Sequence, residues 1–141
     1  MPKLEYFGVH ARGLPLRMAL QYGGANYEDV KLDFPTFGAN KAAGKYKFGQ
    51  VPVLYLDDGK ELYQSMAILR HIGRTYKGKT GMPMYPGNED PELMYKIDEL
   101  LAWHSDYADN YMNFTLPLKP EYKEKDEHFV KFITGKFQEL L

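Results

Sequence analysis

Pro52 limits what this chain can fold into more than any other residue. It opens the apolar run Val53-Leu54-Tyr55-Leu56. Proline cannot donate to a sheet ladder, so it belongs at a strand's first residue or on an edge. An X-Pro bond adopts cis at low cost, and a cis proline marks a fixed tight turn. If Val51-Pro52 is cis, the Val51 N–H and C=O can point outward, free to pair with an extended peptide as an added strand would. An acidic turn at Asp57-Asp58-Gly59 follows, then a second short strand and a helix that starts at Ser65. Backbone N–H groups in a first helical turn have no intrahelical partners and sit at the positive end of the helix dipole. Gln64-Ser65 therefore reads as a site for a small carboxylate. A serine there can cap the helix or hydrogen-bond the ligand.

Composition removes several classes of function. With 18 basic and 19 acidic residues the net charge is −1, so no global basic field draws in nucleic acid or an anionic membrane. No apolar run approaches the ~20 residues a membrane helix needs. The start, Met1-Pro2-Lys3-Leu4-Glu5, lacks the apolar region of a signal peptide, so the expected compartment is the cytosol. There are no cysteines, which excludes disulfides, thiolate metal sites and a cysteine nucleophile. Any thiol chemistry must use sulfur brought by the ligand. The four histidines, His10, His71, His104 and His128, have no metal-ligand spacing, and no metal site is expected.

The hydrophobic pattern gives two parts. Leu4 to Phe7 reads as a strand. Gly13 to Tyr22 reads as a helix, with Leu16, Ala19 and Leu20 on one face, Pro15 in the first turn and Gly23-Gly24 as the stop. Tyr27 to Leu32 alternates and reads as a strand. Residues 34 to 50, rich in Gly and Lys, read as short helical turns and loop. Strands at 53–56 and 59–63 form a hairpin, and a helix runs from Ser65 to about Tyr76. This β-α-β-α-β-β-α order predicts a mixed sheet with helices on both faces over residues 1–76. Lys77 to Pro91 reads as a linker. Residues 92–141 then read as part of an all-helical domain, with one helix from Pro91 to about Met112 and a second from Tyr122 or Glu124 to Leu141.

Taken together, Lys3-Leu4-Glu5-Tyr6-Phe7, Arg12, Arg17, the Phe48–Pro52 loop and Leu62–Thr75 resemble the cytosolic glutathione transferases, most closely their tyrosine-type classes (pi, sigma, mu, alpha). The resemblance implies a thioredoxin-like N-terminal domain followed by the first two helices of an all-α domain. It also implies conjugation of glutathione, as a substrate, to a small hydrophobic electrophile, in a homodimer. Full-length members carry several more helices. The chain is therefore expected to be a piece of a longer protein or a naturally short one, and in the second case a protein partner would cover its helical part. The competing expectation is a non-catalytic scaffold subunit on the same fold.

The resemblance also implies roles for particular residues. Tyr6 would donate a hydrogen bond to the glutathione sulfur and favour its thiolate. Ser65 and the helix start would hold the γ-glutamyl carboxylate, with Gln64 beside it and Arg12 near the glutamyl arm. Val51 would pair with the cysteinyl backbone, helped by Gln50 and fixed by Pro52. The glycyl carboxylate would fall to Lys45, with Lys41 second, because Phe37 stands where the family places a tryptophan. Asp106 aligns with an acidic residue that reaches the glutamyl ammonium of the neighbouring subunit. Near Arg12, His10-Ala11 replaces the family's Arg-Gly pair. Tyr107 and Tyr111 would line the electrophile's pocket.

Overall fold

Alternation along Lys3-Leu4-Glu5-Tyr6-Phe7 sorts one strand between two helical layers, and that sorting builds the site's frame. The computed structural model describes residues 1–115, with side chains through residue 108. It divides into two compact units, Met1–Asp98 and Glu99–Leu141. In the first, strand β1 (Lys3–Phe7) pairs in parallel with β2 (Glu28–Leu32) and antiparallel with β3 (Val53–Tyr55), which pairs antiparallel with β4 (Glu61–Tyr63). The sheet order is β2-β1-β3-β4. This is the thioredoxin-like arrangement expected.

One face carries the core. Leu4 packs with Leu54 of β3, with Leu16 and Leu20 of helix α1 (Leu14–Tyr22), and with Ile68 and Ile72 of α3 (Ser65–Thr75). Helix α1 ends where expected. Gly24 takes φ +68°, and the Ala25 N–H bonds the Leu20 C=O at 2.9 Å, closing a glycine-based stop. The other face meets helix α2 (Phe34–Ala42), where Phe7 contacts the rings of Phe34 and Phe37 at 4.9 and 5.2 Å.

Two expectations change in detail. Residues 34–42 form one regular helix, not separate short turns. Asp33 caps it by accepting from the Thr36 N–H at 2.7 Å, and Pro35 sits in its first turn. The hairpin strands are shorter than expected, because residues 56–60 form the turn. There the Leu56 N–H bonds the Lys60 C=O at 2.8 Å, and Gly59 takes φ +81°.

The segment after α3 is docked onto that helix. The Tyr85 N–H bonds the Gly73 C=O at 2.9 Å, and a Cβ on Gly73 would come within 2.8 Å of Tyr85 Cβ. Tyr85 donates its hydroxyl to Asp98, which also receives Arg70 Nε at 2.7 Å. Helix α4 spans Pro91–Thr115 and is capped by Asp90, whose side chain accepts from the Leu93 N–H. Within the second unit, Trp103 and Tyr107 stack at 5.7 Å. The helix expected over 122–141 lies outside the described residues.

Candidate functional site

Sheet register brings the expected residues to one end. Glu5 lies opposite Val53 and Val53 opposite Tyr63, so Tyr6, Pro52 and Gln64 come next at the same end, with Tyr6 still paired to Lys31 of β2 and with Pro52 and Gln64 just outside β3 and β4. The Val51-Pro52 bond is cis. Among the described residues, no backbone group bonds the Val51 N–H or C=O.

Tyr6 is only 3% exposed. Its ring lies against Gly13, where a Cβ would fall 2.3 Å from Tyr6 Cδ1. Burial pushes the phenol above its ordinary value of 10.0, while the Arg12 backbone N–H aimed at its oxygen and the charges of Arg12 and Arg17 pull the other way. The net shift is upward, so the hydroxyl keeps its proton through neutral pH and can act as a donor.

Arg12 follows Ala11, which takes φ +28°, a strained value for a residue with a Cβ. The turn Ala11–Gly13 sends the Arg12 guanidinium toward α3, where Nη1 lies 3.4 Å from Ser65 Oγ. Ser65 is 3% exposed and is the first residue of α3. It does not cap the helix. Gln64 holds the cap position at φ +69° with no side-chain cap bond. The first N–H groups of α3 thus have no side-chain cap from Gln64 and lie beside a buried hydroxyl and a guanidinium. That combination suits a carboxylate.

Arg17, one of the residues that carry the resemblance, has a structural role. Its Nε meets both Asp29 carboxylate oxygens at 3.1 Å, and its Nη atoms donate to Val9 O and Phe7 O at 2.8 and 2.9 Å. It ties the chain after β1 to α1 and β2. The only sequence signal was an arginine at the edge of an apolar helix face.

Gln50 is exposed and directly precedes Val51 in the loop between α2 and β3. Lys45 lies on the α2 face, opposite Tyr6, with Nζ 2.7 Å from Glu5 Oε1. Lys41 is closer to the loop, with Cε 3.2 Å from the Cβ position of Gly49. Phe37 stacks on Tyr46 at 5.6 Å, so its ring is used in packing. Asp106 lies on α4 in the second unit. The side chain of Tyr111 lies outside the described residues.

Residues 2–74 match the family model described as "Glutathione S-transferase, N-terminal domain". A glutathione S-transferase 2 of Manduca sexta is 37% identical over 111 residues, which is 75% of this chain and 47% of that protein. A probable glutathione S-transferase 6 of Caenorhabditis elegans is 31% identical, covering 87% of this chain and 56% of its own length. The solved structure of a Nu-class glutathione transferase from Haemonchus contortus superposes with a TM-score of 0.61 at 31% identity, over 82% of this chain and 50% of that one. The chain spans about half the length of the curated relatives it matches.

Proposed function

The chain belongs to the glutathione S-transferase N-terminal domain family, whose model matches more than half of it, and from that premise we propose that it binds glutathione and promotes attack of its thiolate on small electrophiles. The observation that carries this reading is the convergence, at one end of the sheet, of a protonated, buried Tyr6, the Arg12–Ser65 pair at the start of α3, and a Val51 backbone that no backbone group among the described residues bonds.

Glutathione is an extended peptide with a carboxylate at each end and a thiol between them. In this reading Ser65, the first N–H groups of α3 and Arg12 take the γ-glutamyl carboxylate, with Gln64 beside them. The cysteinyl backbone pairs with Val51, and Gln50 and Pro52 shape that edge. The glycyl carboxylate takes the Lys41 ammonium beside Gly49, because Lys45 gives its own ammonium to both oxygens of Glu5. Asp106 of a neighbouring subunit would complete the glutamyl site in a homodimer.

The Tyr6 hydroxyl donates to the sulfur. A donor to the charged form lowers a thiol pKa, by about 1.4 kcal/mol for each unit. The thiol proton leaves to water. The sulfur lone pair forms a bond to the electrophilic carbon, and the leaving group departs with its electron pair.

Calorimetry with glutathione on the 141-residue chain tests the site. Wild type binds, and Ser65→Ala weakens binding about tenfold or more, since a lost hydrogen bond to a charged group is worth roughly 1.5–3 kcal/mol. Tyr6→Phe keeps glutathione but loses the ultraviolet absorbance of the bound thiolate and most turnover. A folded chain that binds no glutathione defeats the reading. It would favour the non-catalytic scaffold subunit instead, which the packed Phe37 and the Ala11 turn support.

A further inference from the structure

Glu5 is a carboxylate that the proposed chemistry does not use. It sits directly before Tyr6 in β1 and is 2% exposed. An isolated charge so deep in a protein would be unstable by several kcal/mol, so its partners matter. Lys45 Nζ donates to both of its oxygens, at 2.7 and 3.0 Å, and the Tyr46 hydroxyl donates to Oε1 at 2.8 Å. Asn40 Nδ2 in turn donates to the Tyr46 hydroxyl at 3.1 Å. Tyr55 stands beside the cluster, its hydroxyl outside hydrogen-bond geometry.

The partners belong to one stretch of chain, the end of α2 and the residues just after it. The Lys45 N–H bonds the Asn40 C=O at 3.0 Å, which ties the segment back to α2, and the Gly49 N–H bonds the Tyr46 C=O at 2.9 Å, which carries the tie toward the ligand edge. Gly49 precedes Gln50 and Val51. β1 therefore grips the Val51-bearing segment from one face while presenting Tyr6 on the other.

We propose that Glu5 is a positioning residue: through Lys45 and Tyr46 its carboxylate latches segment 44–51 to β1 and fixes the Val51 backbone relative to the Tyr6 hydroxyl. The latch stands on the contacts alone, while its effect on a ligand rests on the glutathione reading above.

Glu5→Gln removes the charge at nearly constant shape. Hydrogen exchange on the full chain reads the latch without ligand. The Lys45 and Gly49 amides exchange about tenfold faster in Glu5→Gln, while those of Ile68 and Ile72 keep wild-type rates. Steady-state kinetics with glutathione and chlorodinitrobenzene read the consequence. The glutathione KM rises about tenfold and kcat stays within about threefold, because binding is lost and Tyr6 is untouched. Lys45→Met gives the same KM, and the double variant gives no further rise, because the two groups act as one unit. Tyr46→Phe keeps the ion pair and moves KM less, in the same direction, and it carries the test if Glu5→Gln folds poorly.

Unchanged exchange at Lys45 and Gly49 overturns the latch. A lower KM in Glu5→Gln with a higher one in Lys45→Met overturns the positioning role, since Lys45 would then hold the ligand itself and Glu5 would compete for it. Additive KM rises overturn it too. A wild-type chain that binds no glutathione sinks the functional reading, and the exchange measurement then decides the latch by itself.

Discussion

Gly13→Ala tests whether the site depends on the close packing of Tyr6. The added Cβ would lie 2.3 Å from Tyr6 Cδ1 and 2.9 Å from both Tyr6 Cε1 and Arg17 Nη1. Ordinary contact begins at 3.4 Å, so a partner must retreat by about 1 Å. Residue 13 has φ −82°, which alanine adopts freely, so the effect is steric and not a matter of backbone strain. Arg17 is pinned by Asp29 and by the carbonyls of Phe7 and Val9, which leaves the Tyr6 ring to move. Overpacking of this kind costs about 1–3 kcal/mol. For a unit of this size that is roughly 4–8 °C of melting temperature per kcal/mol. A hydroxyl displaced by about 1 Å loses up to ~10²-fold in turnover. Scanning calorimetry and the bound-thiolate absorbance read the two effects. Gly38→Ala is the control. Nothing lies within 4 Å of its Cβ position, and it sits inside α2, so alanine stabilises by about 0.5–1 kcal/mol. A Gly13→Ala protein that melts and turns over like wild type would refute the packing of Tyr6 against this turn.

Gly73→Ala meets Tyr85 Cβ at 2.8 Å and Tyr85 N at 3.3 Å, so denaturant unfolding should show a loss of about 1–3 kcal/mol with glutathione affinity unchanged. Ala11→Gly relieves the φ +28° strain and should gain up to about 1 kcal/mol by the same measurement; a loss would contradict the turn's geometry. In alkali, burial and the Glu5 bond raise Tyr46 from 10.0 to about 12. Its contribution is full below pH 10.0 and is lost as pH rises through about 12, so unfolding midpoints should fall across that window, less steeply in Tyr46→Phe. Glu5 has the opposite sign. Burial would raise it, but the Lys45 and Tyr46 hydrogen bonds win and hold it below 4.5. Its contribution is present above 4.5 and lost as pH falls through the lowered value, and the acid limb should flatten in Glu5→Gln.

What could be read from the sequence followed local rules. Strand alternation, the proline at a strand start and the Gly23-Gly24 stop each act within a few residues, and each was legible. Helix α2 was legible as helical turns between β2 and β3 but not as one regular helix, because Gly38 and its lysines dilute an apolar pattern, although the Asp33 cap and Pro35 marked its start. The site contacts join distant positions. Arg12 meets Ser65 across 53 residues, and Lys45 meets Glu5 across 40. No periodicity reports such pairs. Arg12 was reached only through the resemblance. Lys45, too, carried a role only through the resemblance, and nothing in the spacing joins it to Glu5.

Glu5 and Tyr6 also show why two neighbours in one strand can be changed separately. Side chains in a strand alternate between faces. Tyr6 shares its face with Leu4, α1 and the Arg12–Gly13 turn, while Glu5 shares the other with Phe7, Lys45 and Tyr46. Changes on the first face should act on the sulfur, through the hydroxyl that would stabilise it. Changes on the second should act on the peptide part of the ligand, through the segment that carries Val51. The sheet between them is a shared frame, so a substitution that disturbs both readouts equally has damaged β1 itself, and one that splits them has acted through its own face.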